Sequence, residues 1–345
     1  MHLNGFQAAV FYCLCLLFSA THADELYSFQ DRGIGVYIDQ DLFIPFTNED
    51  RDYTMGFGFE FFWAKEKGLY PLDNLVRKAG KWLDIDESDK NIVYSFMLGT
   101  LAFTPDDLAN PDPIYDDRPY SSLIYLSNKR MRADNEDALA AEVAIGVLGT
   151  HIARDVQSQI HDWWRKLDNS DEPVEPMGWD HQISDGGELT ARIRLSHSRL
   201  YPEFSIPGRF DISSTVGVSL GFQTNVSLSG AVRFGSLKSP FWSLPYDPVN
   251  RGNFVPAKPR DQWYIWAALR AHLVLYDALL QGQFRDSDVT YSFDEMEHVV
   301  YDGAFGFTMG LGKSQFTFSA NTKSSDLKHT DRTQTWGSVN YIYHF

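Results

Sequence analysis

The most constraining feature of this chain is a set of twelve long segments in which every second residue is apolar. A period of two belongs to strands, whose side chains alternate between two faces. The segments run approximately over 33–43, 53–65, 91–104, 120–132, 138–149, 188–200, 210–222, 226–235, 262–276, 297–311, 314–323 and 334–345. Strands of soluble sheets usually have ~5 to 6 residues, whereas a tilted transmembrane strand needs ~9 to 11. The spacing therefore predicts an all-β fold, a transmembrane antiparallel barrel of about twelve strands, rather than a soluble sandwich.

The faces support this. Over 53–65 one face reads Tyr53, Met55, Phe57, Phe59, Phe61 and Trp63, and the other Thr54, Gly56, Gly58, Glu60 and Phe62. The first suits lipid; the second suits a crowded or polar interior. The last segment sets Trp336, Val339, Tyr341, Tyr343 and Phe345 against Ser338, Asn340, Ile342 and His344. Aromatic residues make up 15 % of the chain, and many stand near strand ends, where amphipathic rings favour a membrane interface. A terminal Phe345 closing an aromatic strand resembles the assembly signal of Gram-negative outer-membrane barrels, which implies the barrel-assembly machinery as a partner.

Residues 1–23 read as an export signal: an apolar run over 11–20, then the small-residue pattern Thr21-His22-Ala23. The barrel domain is expected over 24–345. Both cysteines, Cys13 and Cys15, lie in the leader, so no disulfide is expected in the barrel. A net charge of -16 argues against nucleic acid as a partner and against a basic membrane-surface patch, and is compatible with a site that recruits a divalent cation.

One stretch breaks the alternation. Over 149–166, Gln157 and His161 stand four apart on one helical face, while Ile152, Val156, Ile160, Trp163 and Trp164 form an apolar side. A short loop helix presenting an imidazole is expected between strands five and six. Strand parity sends the connections after strands one, three and five to the same outer rim, so this helix meets 44–52 and 105–119 there. The connections over 66–90 and 236–261 fall on the periplasmic side.

The chemistry at that rim narrows by exclusion. There is no Gly-x-Ser-x-Gly elbow for a serine nucleophile and no His-Glu-x-x-His zinc motif. Carboxylates at Asp39, Asp41, Asp50, Asp52, Asp116 and Asp117, with His161, point to a histidine base acting on water, assisted by a hard cation on oxygen ligands. Taken singly, Asp41 also fits a turn former, and Arg118 an ion pair with Asp116 or Asp117.

Six ordered motifs carry a resemblance to the LpxR family of outer-membrane lipid A 3'-O-deacylases, over essentially the whole mature chain. They are Gln40-Asp41, the run from Asp50 to Gly56, Arg118-Pro119-Tyr120, Gln157 to His161, Gly178-Trp179-Asp180-His181-Gln182, and Arg251-Gly252-Asn253. Gln40 stands where the family has Asn, and Asp117 where some members have a basic residue.

The resemblance implies a twelve-stranded barrel with its active site between the wall and a loop helix, and a calcium-assisted hydrolysis similar to that of secreted phospholipases. His161 would be the general base and Asp41 a metal ligand or base-orienting carboxylate. Gln40 would share the catalytic site, with Thr54 and Gln157 as positioning groups. Arg118, with Tyr120, would contact the substrate at a phosphate or oxyanion. The expected activity is removal of an ester-linked acyl or 3'-acyloxyacyl chain from lipopolysaccharide in the outer membrane. A non-catalytic binding barrel and an outer-membrane phospholipase are the competing readings.

Overall fold

The computed structural model describes residues 32–44, 52–64, 72–86, 91–168, 174–244, 261–330 and 332–345. The expected leader, Asp50, Arg51 and the motif at 251–253 lie outside the described residues. All twelve expected strands form: β1 (Arg32–Gln40), β2 (Asp52–Ala64), β3 (Ile92–Thr104), β4 (Ser121–Ala133), β5 (Asp137–Leu148), β6 (Glu188–Leu200), β7 (Phe210–Gly221), β8 (Gln223–Ser236), β9 (Gln262–Asp277), β10 (Val299–Leu311), β11 (Ser314–Lys323) and β12 (Gln334–His344). Among the described residues three α-helices accompany them: α1 (Asp73–Gly80), α2 (Ile152–Asp168) and α3 (Ala278–Gln281). Each strand pairs antiparallel with its sequence neighbours, and β1 closes on β12 from Gly33↔His344 to Gln40↔Gly337. Closure leaves no unpaired strand edge, the condition for crossing a bilayer with strands. No helix among the described residues is long and apolar enough to cross.

Alternation sorts the wall. Phe57 and Phe59 on β2 and Phe305 and Phe307 on β10 face outward and are exposed. At the end where β1 starts and β12 finishes, Tyr94, Trp63, Phe61, Phe345 and Tyr343 form a chain of rings with centroids 5.8, 5.4, 6.3 and 6.5 Å apart. This is an aromatic girdle. Inside, buried charges are paired: Tyr37 donates to Glu60 at 2.5 Å, Arg192 lies 3.0 Å from Glu142, and Arg233 lies 2.6 Å from Asp211. Pairing makes burial of these ions tolerable. Gly99 lets the interior ring of Tyr125 lie against the wall, since a Cβ there would sit 2.4 Å from its Cζ.

Two residues expected on the lipid face are inside instead. The β2–β3 register shifts between Tyr53 and Met55, a bulge that turns Tyr53 inward, where its hydroxyl donates to Asp39 at 2.7 Å. Trp336 shares parity with Ser338, Asn340, Ile342 and His344, all buried, and meets Tyr53 edge-on at 4.9 Å. The same bulge puts Thr54 on the outer side, with its hydroxyl 2.6 Å from that of Thr104. The expected assignment of Thr54 to the interior is thereby reversed.

The rim carrying the β1–β2, β3–β4 and β5–β6 connections also receives the long β9–β10 and β11–β12 connections. Long loops mark the extracellular end of such barrels. On the opposite side, where the sequence predicts only a long connection over 66–90, helix α1 forms. Its Val76 and Ala79, with Leu72 and Ile85, pack on Ala141 and Val143. Those two share parity with exposed Ile145, so α1 lies against the outer wall.

Candidate active site on the outer wall

Four strands present adjacent outward positions near the extracellular rim. Gln40 pairs with Met55, Met55 with Ala102, and Ala102 with Ser122. Asp41 follows Gln40 in a 3-10 turn, Asp41–Phe43, and Gln40 donates its amide to Asp41 Oδ1 at 2.9 Å. The turn bends over β12 because Gly337 has no side chain; a Cβ there would lie 2.5 Å from that of Phe43. Asp41 and Thr54 are both buried.

Helix α2 covers this patch. Ala153 packs in a cluster with Met55, Ala102, Leu108, Tyr120 and Trp179. Gln157, one turn on, accepts from the Trp179 indole at 2.8 Å. His161, one turn further on the same face, is 2 % exposed, and its Nδ1 lies 2.8 Å from the Val174 carbonyl. A carbonyl only accepts, so that contact requires hydrogen on Nδ1 and leaves Nε2 as the basic nitrogen. Ile152, Val156 and Trp163 form an apolar stripe that points away from the wall, Ile152 and Trp163 at 56 % and 59 % exposure, with exposed Asp155 and Asp162 on its flank. An apolar stripe beside acidic residues suits the boundary between lipid and water.

The Gly-Trp-x-x-Gln motif is the scaffold of this arrangement. Gly178 lies flat on the Tyr120 ring, where a Cβ would come within 2.6 Å. Trp179 packs on Tyr120 at 4.9 Å and holds Gln157. Gln182 accepts from Ser122 of β4 at 2.9 Å and donates to Asp185 at 3.0 Å. The sequence names the motif through the family resemblance, without roles for Trp179 or Gln182.

Arg118 and Tyr120 part company. Tyr120 faces the α2 side, supporting Trp179 and bonding the Leu108 carbonyl at 3.4 Å. Arg118 turns into the barrel mouth, over the Phe103 ring at 3.8 Å, and pairs with Asp326 rather than with Asp116 or Asp117. Asp326 also binds Lys323 at 2.7 Å and Gln334 at 3.0 Å. Burial pushes its carboxyl up, but Lys323 and Arg118 outweigh it and hold the group well below the carboxylate range. Asp117 pairs with Arg332, and its carbonyl accepts from Tyr291 at 2.5 Å. Burial, then the charge of Asp117, push the Tyr291 hydroxyl up to about 12. Asp326, Arg332 and Tyr291 come from connections that the sequence reading did not place at this rim.

The donors near Asp41 are all hard oxygens, the type calcium takes, yet calcium fills 6 to 8 oxygen positions. Among the described residues no group of three or more His, Cys, Asp or Glu could hold a metal ion. Asp41, Gln40 and Thr54 fit a cation in kind but leave most of a shell to water and substrate.

A closed twelve-stranded barrel with a loop helix packed on its outer wall defines the class: an outer-membrane β-barrel. The chain belongs to the LpxR family; the profile described as Outer membrane protein LpxR matches residues 10–345. A solved structure, LpxR from Salmonella typhimurium, superposes with a TM-score of 0.68 at 15 % identity, covering 91 % of this chain and 100 % of that one. At that identity the likeness shows the fold. The translocator domain of autotransporter NalP from Neisseria meningitidis gives a TM-score of 0.38 at 10 % identity, over 98 % of this chain and 96 % of its own. The β domain of the Bordetella autotransporter Brka gives 0.40 at 9 %, over 92 % and 99 %. A search of curated protein sequences found no match.

Proposed function

We propose that this protein is an outer-membrane esterase that hydrolyses an ester-linked acyl or 3'-acyloxyacyl chain of lipid A. The observation that carries the reading is the His161 bond to the Val174 carbonyl, which prepares Nε2 as a base on a face turned to the barrel wall. Nε2 takes a proton from water while the water oxygen bonds to the acyl carbon. The bond from that carbon to the sugar oxygen then breaks, and the imidazolium returns the proton to the departing oxygen. The products are a free carboxylic acid and a hydroxyl on the sugar.

Gln157, fixed through Trp179, and Thr54, fixed by the bulge and Thr104, position the reacting groups. A cation held by Asp41 and the Gln40 oxygen, completed by water and lipid oxygens, would polarise the ester carbonyl. The extra methylene of Gln40 relative to Asn is taken up by folding the amide back onto Asp41. A lipid phosphate at Arg118 would have to compete with Asp326, so Tyr120 is the member of that motif nearer the reaction.

The test is mass spectrometry of lipid A from a Gram-negative host expressing the wild type or His161→Ala, with and without a chelator in the outer medium. The expected result is loss of one acyl or acyloxyacyl unit in the wild type, none in the variant, and suppression by the chelator. Unchanged lipid A beside a folded wild-type barrel would overturn the assignment and favour a phospholipase or a binding barrel.

A further inference from the structure

Helix α1, with the 3-10 turn Lys81–Leu83 that continues it, carries a face that the barrel does not use. Its inner side rests on the wall, while Asn74, Leu75, Lys78, Lys81 and Trp82 are exposed, Trp82 at 68 %. Residues three, four and seven apart share a helical face, so two ammonium groups lie beside two apolar side chains in one stripe. That stripe holds no acid, in a chain of net charge -16. Asp73 is paired with Arg77 at 3.2 Å. Asp84 and Asp86 follow the short 3-10 turn, at and after the left-handed residue that ends it.

The level of the helix on the barrel identifies what the stripe meets. Beneath α1, Arg130 of β4 is 1 % exposed, with its guanidinium 5.8 Å from the centre of the Tyr94 ring. Trp63 pairs with Tyr94, Tyr94 with Arg130, Arg130 with Ala141, and Ala141 with Leu195. The aromatic girdle thus runs along this row as far as Tyr94 and gives way to Arg, Ala and Leu where α1 covers the wall. Trp and Tyr girdles sit at the headgroup layer. With Trp82 and Leu75 outermost, α1 continues the girdle over β4, β5 and β6.

We propose that α1 is an interfacial anchor on the phospholipid headgroups of the inner leaflet. Leu75 and Trp82 enter the boundary between headgroups and acyl chains, and Lys78 and Lys81 bracket a headgroup phosphate. The lysine stems lie along the apolar side chains while their ammonium groups stay at the phosphate level, the usual behaviour of long cations at a membrane surface. Arg130 adds a fixed positive charge under the helix. This surface is independent of the proposed hydrolysis, being on the other side of the membrane.

The experiment uses the whole chain with Cys13→Ser and Cys15→Ser, the two cysteines of the sequence. A nitroxide is placed through Leu75→Cys, with Ile265→Cys on the outer wall and Asp86→Cys as references. The barrels go into nanodiscs of phosphatidylethanolamine and phosphatidylglycerol, and relaxation by oxygen and by a water-soluble nickel chelate is measured. The expected label at 75 resembles the one at 265, open to oxygen and shielded from nickel; a label matching the one at 86 overturns the anchor. Native mass spectrometry then compares wild type with Lys78→Gln/Lys81→Gln. The variant should retain at least threefold less phosphatidylglycerol, and equal retention overturns the phosphate contact. Heat-modifiable migration on gels shows that each barrel is folded.

Discussion

The indole nitrogen of Trp179 donates to the Gln157 side-chain oxygen at 2.8 Å, and this bond ties helix α2 to the Gly178–His181 turn. Trp179 is itself held by Tyr120, and Gln157 sits one turn before His161. Trp179→Phe keeps most of the packing but removes the donor. Misplacing a catalytic group by about 1 Å costs on the order of 100-fold. Lipid A hydrolysis should therefore fall about 10- to 100-fold, with the barrel folded and Tyr120 still packed. Initial rates from lipid A mass profiles check this; an unchanged rate would mean that Gln157 needs no fixing.

Gly337→Ala tests the turn that carries Asp41. The new Cβ would lie 2.5 Å from the Cβ of Phe43, and both atoms belong to stiff backbone-near positions. The 3-10 turn has to move, whereas the β1–β12 ladder at Gln40↔Gly337 can persist. Overpacking of this kind costs about 1 to 3 kcal/mol. The expected outcome is a folded barrel with strongly reduced hydrolysis, read by gel migration and lipid A mass together. Full activity would show that the position of Asp41 does not matter to the reaction.

The barrel was legible because the period-two pattern is long and repeated, so each strand's neighbours confirm it; β6 and β11 have the expected bounds to the residue. Tyr53 and Thr54 were misplaced because a bulge shifts parity without leaving a compositional mark. Helix α1 was missed because only a short stretch, with Val76 and Ala79 turned inward, carries its period. Helical spacing put Gln157 and His161 on one face of α2, and strand parity put the loops after β1, β3 and β5 at one rim. The Arg118–Asp326 pair was not legible, since its partners are far apart in the chain and joined only by barrel closure.

That pair also sets a pH dependence. Asp326 is buried, which raises its pKa, but Lys323 and then Arg118 bring it well below the ordinary value. The unfolded chain therefore takes up the proton first, near pH about 3.9. The stabilisation is whole above that value and drains away as pH falls through the lower folded pKa. Asp326→Asn removes the carboxylate that Arg118 and Lys323 share and leaves Arg118 buried without its ion pair, offset only by the fields of Asp52 and Asp277, a loss of about 3 to 5 kcal/mol at neutral pH. Urea titrations in detergent should show that loss at pH 7 and a smaller difference at pH 3. A difference that grows on acidification would contradict the assignment.

The last prediction concerns the outward side of α2. Ile152, Val156 and Trp163 are exposed in one stripe of α2, flanked by exposed Asp155 and Asp162, so the stripe gains from lipid while its acidic flank stays at the water boundary. A lipid-buried Trp163 holds α2 at the depth where His161 meets an ester of a membrane-embedded substrate. A carboxylate in its place would lift the helix toward the aqueous phase. Trp163→Glu should slow hydrolysis of lipid A in the outer membrane about tenfold while changing the rate on detergent-dispersed lipid A less than about twofold, because only the first requires the helix to sit in lipid. Equal losses in both assays would assign Trp163 to the site itself, and no loss in either would place the outer side of α2 in water.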